Sequence, residues 1–102
     1  MGLLVNATAE KKILINGTEI EIPSVYARLE YMCPQDGKTL YIGLHTYNSK
    51  EAYKNGAKEV LTDLLILNFG IELQADEEQG LKSAEAYSKA KYEELGYIVT
   101  II

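Results

Sequence analysis

The stretch that decides the fold is DEEQGLKSAEAYSKAKYEELG, residues 76 to 96. Asp76 can cap the first turn of a helix, and Gln79, three residues later, can complete a capping box. Gly96 stands where a left-handed C-cap is needed. The sequence therefore predicts one long helix from about Asp76 to Leu95. Apolar side chains recur at helical spacing along it and predict a stripe that packs on a sheet: Leu81, Ala84, Tyr87, Ala90 and Leu95.

A short hairpin is predicted near the N-terminus. Asn16-Gly17 separates residues 12–15 from residues 18–22, and this dipeptide favours a two-residue type I′ turn. In that register Ile13 faces Ile20, and Lys12 faces Glu21 as a pair of opposite charges.

Longer strands follow at residues 25–32 and 39–47, joined by a turn at 33–38. Ser49 can cap a short helix over 50–55 that Gly56 closes. Residues 60–74 are predicted to be mainly strand, because apolar side chains alternate from Leu65 to Leu73, and residues 97–102 form a closing strand. If the strands on either side of the long helix share a sheet, they run parallel. The predicted fold class is α+β: a mainly antiparallel sheet of about five to six strands, partly barrel- or sandwich-like, with a long C-terminal helix and a final short strand.

The first residues allow two interpretations. Leu3, Val5 and Ala7 alternate, which predicts a strand or an N-terminal arm within residues 1–9, whereas a chain terminus can also fray. With 102 residues, the chain is predicted to form a single domain, residues 1–102.

Composition and sequence pattern argue against nucleic acid as a partner, against secretion or membrane segments, and against cysteine-based sites. The formal net charge is −5 and the lysines and arginines are scattered, which argues against nucleic acid. The apolar N-terminal stretch, residues 1–5, is too short for a signal peptide, and no stretch approaches the ~20 apolar residues of a membrane span. The single cysteine, Cys33, cannot form a disulfide within the chain or a Cys-type zinc site.

No catalytic, metal-binding or cofactor-binding pattern is found. His45 is the only histidine, and strand alternation places only Tyr41 and Tyr47 on its face. Cys33 precedes Pro34 in a turn, with no base nearby to activate its thiol. Both residues are therefore expected to be dispensable, and the protein is expected not to be an enzyme.

The tyrosines and the C-terminus suggest contact surfaces. There are eight tyrosines against one phenylalanine and no tryptophan. They fit either half-buried positions on a sheet or a protein-contact surface that includes Tyr26, Tyr41 and Tyr47. Residues 97–102 are apolar on both faces, with Ile98 and Ile102 on one of them. The N-terminal arm could cover the second face or the edge of this strand within the chain or from a neighbouring copy. Our hypothesis is that the terminal strand and the arm lie at a subunit interface.

Three segments in order resemble a known group of proteins. They are YARL (26–29), YNSKEAYKNGA (47–57), and a C-terminal helix with Ala84, Tyr87 and Leu95 before a last strand. This order is similar to small structural proteins from the tail regions of tailed bacteriophages and prophages, over most of the chain from Val25 onward. The resemblance implies a virion component or tail-assembly factor that works by multimeric contact, in the virion or in the host cytoplasm during assembly. It implies no catalytic residues.

Three functional hypotheses follow. The first is a non-enzymatic structural or assembly protein that contacts itself or other virion proteins, without nucleic acid or membrane. The second is a small module that binds a peptide or saccharide on a tyrosine-lined strand face. The third is an enzyme whose site the sequence does not reveal.

Overall fold

A computed structural model describes residues 2–62 and 68–102 of the chain. Its elements in this part of the chain are β1 (Gly2–Asn6), β2 (Ile13–Leu14), β3 (Glu21–Ile22), β4 (Ser24–Met32), β5 (Thr39–Tyr47), α1 (Lys50–Lys54), β6 (Asn68–Glu72), α2 (Leu81–Glu94) and β7 (Ile98–Ile101).

The main sheet has five strands in the order β6-β5-β4-β1-β7, and each neighbouring pair is antiparallel. The strands β2 and β3 form a separate two-stranded sheet. The α+β class is therefore confirmed, with a curled antiparallel sheet, a long C-terminal helix and a final strand. Four antiparallel steps separate β6 from β7, so these two strands run parallel, as predicted, but at opposite edges of the sheet.

The N-terminal segment is a strand inside the sheet. β1 pairs with β4 on one side and with β7 on the other. Leu3 and Val5 have no exposed surface. Residues 2–6 are thus not a detached arm, because their alternating apolar side chains fill the core under α2.

The N-terminus of α2 differs from the prediction. The helix begins at Leu81 after Gly80, whose φ is +147°. Asp76 lies in a turn before the helix. Gln79 does not complete a capping box, since its side-chain amide donates to the carbonyls of Pro34 (2.8 Å) and Thr39 (2.7 Å). This tertiary contact ties the segment before α2 to the turn between β4 and β5.

The buried face of α2 also differs from the predicted stripe. Leu81 and Tyr87 are half-buried and Ala84 is fully buried, as expected, whereas Ala90 and Leu95 are exposed. The residues that α2 buries are Ala84, Glu85, Ser88 and Tyr92. This buried face includes two polar residues, so hydropathy alone does not define it. The packing of α2 against β7, β1, β4 and β5 determines which residues are buried.

The hairpin near the N-terminus has a shifted register. Ile13 pairs with Ile22 instead of Ile20, and only Gly17 has a positive φ, so the turn is not type I′. Asn16 N–H donates to the Leu61 carbonyl (2.8 Å). This long-range hydrogen bond holds the backbone of Asn16, which would need a positive φ in a type I′ turn. The predicted charge pair is present, with Lys12 Nζ 3.0 Å from Glu21 Oε1.

The remaining predicted elements are largely confirmed. β5 has the predicted limits, β4 begins one residue early, and Ser49 caps α1 by accepting a hydrogen bond from Ala52 N–H (3.0 Å). In the predicted strand 60–74, β6 occupies Asn68–Glu72. The predicted positions Leu64, Leu65, Ile66 and Leu67 lie outside the described residues.

Candidate functional site

The two faces of the main sheet have different covers. The inner face carries the hydrophobic core and packs on α2. The opposite, outer face is formed where β4 and β5 pair Tyr26 with Tyr47, Arg28 with His45, Glu30 with Gly43, and Met32 with Tyr41. This outer face holds most of the polar and aromatic side chains that the sequence singled out, and it is where a site can be built.

At one end of the outer face, α1 contributes Tyr53 to an aromatic cluster. The ring of Tyr53 lies 4.9 Å from the Tyr47 ring and 5.8 Å from the Tyr26 ring, centroid to centroid. The Arg28 guanidinium sits over the Tyr53 ring at 4.9 Å, in the geometry of a cation–π contact. Arg28 also donates to the Tyr26 hydroxyl (3.5 Å), and this hydrogen bond is the main reason that the arginine pKa is raised.

His45 occupies the middle of the outer face, between two carboxylates. Its Nε2 lies 2.6 Å from Glu30 Oε1 on β4, and its Nδ1 contacts Glu59 Oε1 in the segment after α1. The hydrogen bond with Glu30 is the largest influence that raises the pKa of His45; partial burial opposes it, and Glu59 adds to it. Strand alternation placed only Tyr41 and Tyr47 on the face of His45, and these two carboxylate partners were not predicted.

The two carboxylates contact opposite nitrogens of one ring. The two carboxylates therefore favour the charged form of the His45 ring. They do not pair a base with a hydroxyl or thiol nucleophile. In residues 2–62 and 68–102, no group of three or more His, Cys, Asp or Glu side chains is placed to hold a metal ion. The thiol of Cys33 is exposed.

At the far end of the outer face lies an open apolar depression of about 650 Å³. Tyr41 lies over Gly70, where an added Cβ would be 3.0 Å from the tyrosine ring. Tyr41 is 51% exposed and Met32 is 65% exposed. Glu30 and Asn68 supply polar groups at its border.

The predicted contact residues are separated by the fold. Tyr26 has no exposed surface, so it cannot belong to a contact surface here; α1 and the N-terminal Gly2 cover its ring. Tyr47 is half-buried in the same cluster, and Tyr41 lies at the other end of the sheet. Ile98 is 60% exposed on the edge strand β7, and Ile102 follows it, half-buried.

Sequence reasoning missed the partners of His45. Alternation does place Arg28 and Glu30 together on one face of β4, but it does not give the register with β5. Glu59 and Tyr53 reach the site only because the chain after β5 folds back over the outer face. No local signal marks that reversal beyond the Ser49 cap and the glycine at 56.

Comparison of this chain with known proteins identifies no relative. Neither family models, nor curated proteins, nor solved structures give a significant match to this chain. Among the described residues, no helix combines the length and the apolar character needed to cross a bilayer.

Proposed function

We propose that this protein is a non-enzymatic structural or assembly protein, and that it assembles through the free edge of β7 with a second copy of the chain. The observation that carries the proposal is the state of this edge. β7 ends the five-stranded sheet, and β1 is its one strand partner in residues 2–62 and 68–102.

The hydrogen-bond pattern supports a free edge. Gly2 N–H donates to the Ile102 carbonyl (3.3 Å), and Ile102 N–H donates to the Gly2 carbonyl (3.0 Å). Because hydrogen-bonded pairs alternate along an antiparallel ladder, Thr100 and Ile98 also face β1. Val99 and Ile101 therefore direct their N–H and C=O groups away from the sheet, where another strand can pair with them.

The side chains of β7 support the same proposal. Ile98 is 60% exposed and Ile101 is 43% exposed, and they lie on opposite faces of the strand. Edge strands are normally protected by charged side chains, proline or a bulge, and the sequence IVTI contains no charge and no proline. An antiparallel contact between two identical edges is self-complementary about a two-fold axis. A second copy therefore satisfies this edge without any further surface.

The resemblance noted from Val25 onward supports a specific setting. We propose that the assembly is a phage tail or virion, formed in the host cytoplasm, and that other virion proteins are the further contacts. No nucleic acid, membrane or cofactor is part of this proposal.

The test measures the oligomeric state of the full chain by sedimentation and light scattering over a wide concentration range. We expect self-association that Ile98→Lys abolishes, because a lysine at the edge opposes strand pairing. Ile20→Lys is the matched control, since Ile20 is 58% exposed on the separate hairpin, and it should associate as the wild type does. A wild-type protein that stays monomeric at the highest concentration, or equal effects of both variants, would refute the proposal.

The depression at Tyr41 favours a second candidate, a module that binds a saccharide or an extended peptide. An exposed tyrosine ring with carboxylate and amide groups beside it can stack on a ligand and hydrogen-bond to it. Titration calorimetry with saccharides and peptides tests this candidate. Binding by a monomer, lost in Tyr41→Ala, would favour it over assembly.

A further inference from the structure

The side chain of His45 joins two parts of the chain that are distant in sequence. Glu30 is 15 positions away on β4, and Glu59 is 14 positions away in the segment that follows α1. The contact with Glu30 lies within the sheet. The contact with Glu59 instead attaches the returning chain to the outer face.

The chemistry of the ring decides which form makes both contacts. A neutral imidazole carries one N–H, so it can donate to one carboxylate while its other nitrogen directs a lone pair at the second. An imidazolium donates to both. We propose that His45 is a proton-operated clamp: its charged ring holds Lys58 and Glu59 against β4 and β5 by contacting Glu30 and Glu59 at once, and loss of the proton releases Glu59.

The neighbouring charges agree with this assignment. Arg28, the cross-strand partner of His45, is turned toward the Tyr53 ring and the Tyr26 hydroxyl. Lys58 lies beside Glu59 in sequence and is exposed. Tyr47 on β5 stays neutral, since burial raises its pKa. The imidazolium of His45 is therefore the positive charge that lies between the Glu30 and Glu59 carboxylates. When the ring is neutral, two negative charges lie on either side of it.

The clamp acts beside a second, permanent attachment. Val60 N–H donates to the Thr46 carbonyl (2.8 Å), and the Thr46 hydroxyl donates to the Val60 carbonyl (2.6 Å). Next to these bonds is a depression of about 230 Å³, with His45, Glu59 and Leu61 among its lining residues. On the other side, Ala57 N–H donates to the Ala52 carbonyl of α1 (3.0 Å). Loss of the clamp therefore loosens Lys58 and Glu59 and widens this depression, while Ala57 and Val60 remain bound.

The direction of the pH effect follows from linkage. The pKa of His45 is raised above its ordinary value of 6.5. The clamp is thus fully formed below pH 6.5 and is lost as the pH rises through the higher pKa of the folded protein.

The test uses the fact that His45 is the only histidine, so its ring resonances need no assignment. NMR titration of the wild type should give a midpoint above 6.5, and the amide chemical shifts of Lys58 and Glu59 should titrate with the same midpoint. Glu30→Gln and Glu59→Gln should each lower the midpoint. Glu72→Gln is the matched control, because that exposed carboxylate on β6 pairs with Lys38 (3.5 Å) and should not affect His45.

Backbone ¹⁵N relaxation measures the release itself. The heteronuclear NOE of Lys58 and Glu59 should fall as the pH rises through the midpoint, because Ala57 and Val60 keep their backbone hydrogen bonds and only the contact of Glu59 with His45 is lost. In His45→Gln the heteronuclear NOE of these two residues should not depend on pH. A wild-type midpoint at or below 6.5, a midpoint unchanged by both glutamine variants, or a heteronuclear NOE that is independent of pH would overturn the proposal. The wild-type titration decides it even if a variant fails to fold.

Discussion

At Gly2 the Tyr26 ring and the backbone of Ala27 leave no room for a side chain. A Cβ at this position would lie 2.6 Å from the Tyr26 ring and 2.7 Å from the Ala27 carbonyl oxygen. Tyr26 cannot move aside, because it is fully buried and its ring packs beside Tyr53. The absence of a side chain at Gly2 therefore lets the tyrosine close over β1.

We predict that Gly2→Ala lowers the free energy of unfolding by about 1–3 kcal/mol, the usual cost of overpacking. Urea unfolding measures the change. Gly70→Ala is the matched control, because its new Cβ would meet only the exposed Tyr41 ring, 3.0 Å away, which can rotate into solvent. Equal losses in both variants would mean that Tyr26 is not fixed against β1.

At the scale of the element, α2 shows why a periodic pattern leaves the buried face open. The helix contains more small and polar residues than large apolar ones, so several faces are nearly equal in hydropathy. The structure buries Ser88 and most of Glu85 together with Ala84 and Tyr92. Tyr92 carries most of the apolar surface of this face, and burial raises the pKa of its hydroxyl.

Two alanines of α2 distinguish the predicted stripe from the observed face. Ala84→Asp should lower the free energy of unfolding by about 3 kcal/mol, because it places an unpaired charge in the core. Ala90→Asp should cost only about 1 kcal/mol, from lower helix propensity and from repulsion by Glu94 at i+4, since Ala90 is exposed. Thermal unfolding of the two variants gives the comparison. Similar melting temperatures would place the helix in a different rotation.

At the scale of the whole molecule, the termini meet inside the sheet. β1 lies between β4 and β7, and Gly2 and Ile102 exchange backbone hydrogen bonds. Residues 2–6 therefore cover β7 within the chain, which is the other alternative that the sequence left open, and they do not form a separate arm. The edge of β7 alone remains as the proposed interface.

Deletion of residues 1–6 should abolish folding, because it removes the strand that joins β7 to the rest of the sheet and two fully buried side chains, Leu3 and Val5. Circular dichroism during heating should show no cooperative transition in the truncated chain. A truncated protein that unfolds cooperatively and differs only in oligomer size would instead support the detached arm.

The sequence by itself determined the elements whose signals are local. The alternation in β4 and β5, the Ser49 cap and the strand character of the C-terminal residues depend on neighbouring residues, and the structure confirms them. These signals were enough to predict the α+β class and the parallel direction of β6 and β7. The faces of β4 and β5 were also predictable, because side chains alternate with period two in any register.

The tertiary structure decided what depends on contacts between distant segments. The Gln79 side-chain amide donates to two backbone carbonyls at the β4–β5 turn instead of capping α2. Asn16 N–H donates to the Leu61 carbonyl, and the type I′ turn does not form. His45 gains Glu30 and Glu59 only when β4 pairs with β5 and the chain folds back after α1. Such choices follow the total energy of the fold, in which one long-range hydrogen bond or a buried ring outweighs a local preference of about 1 kcal/mol.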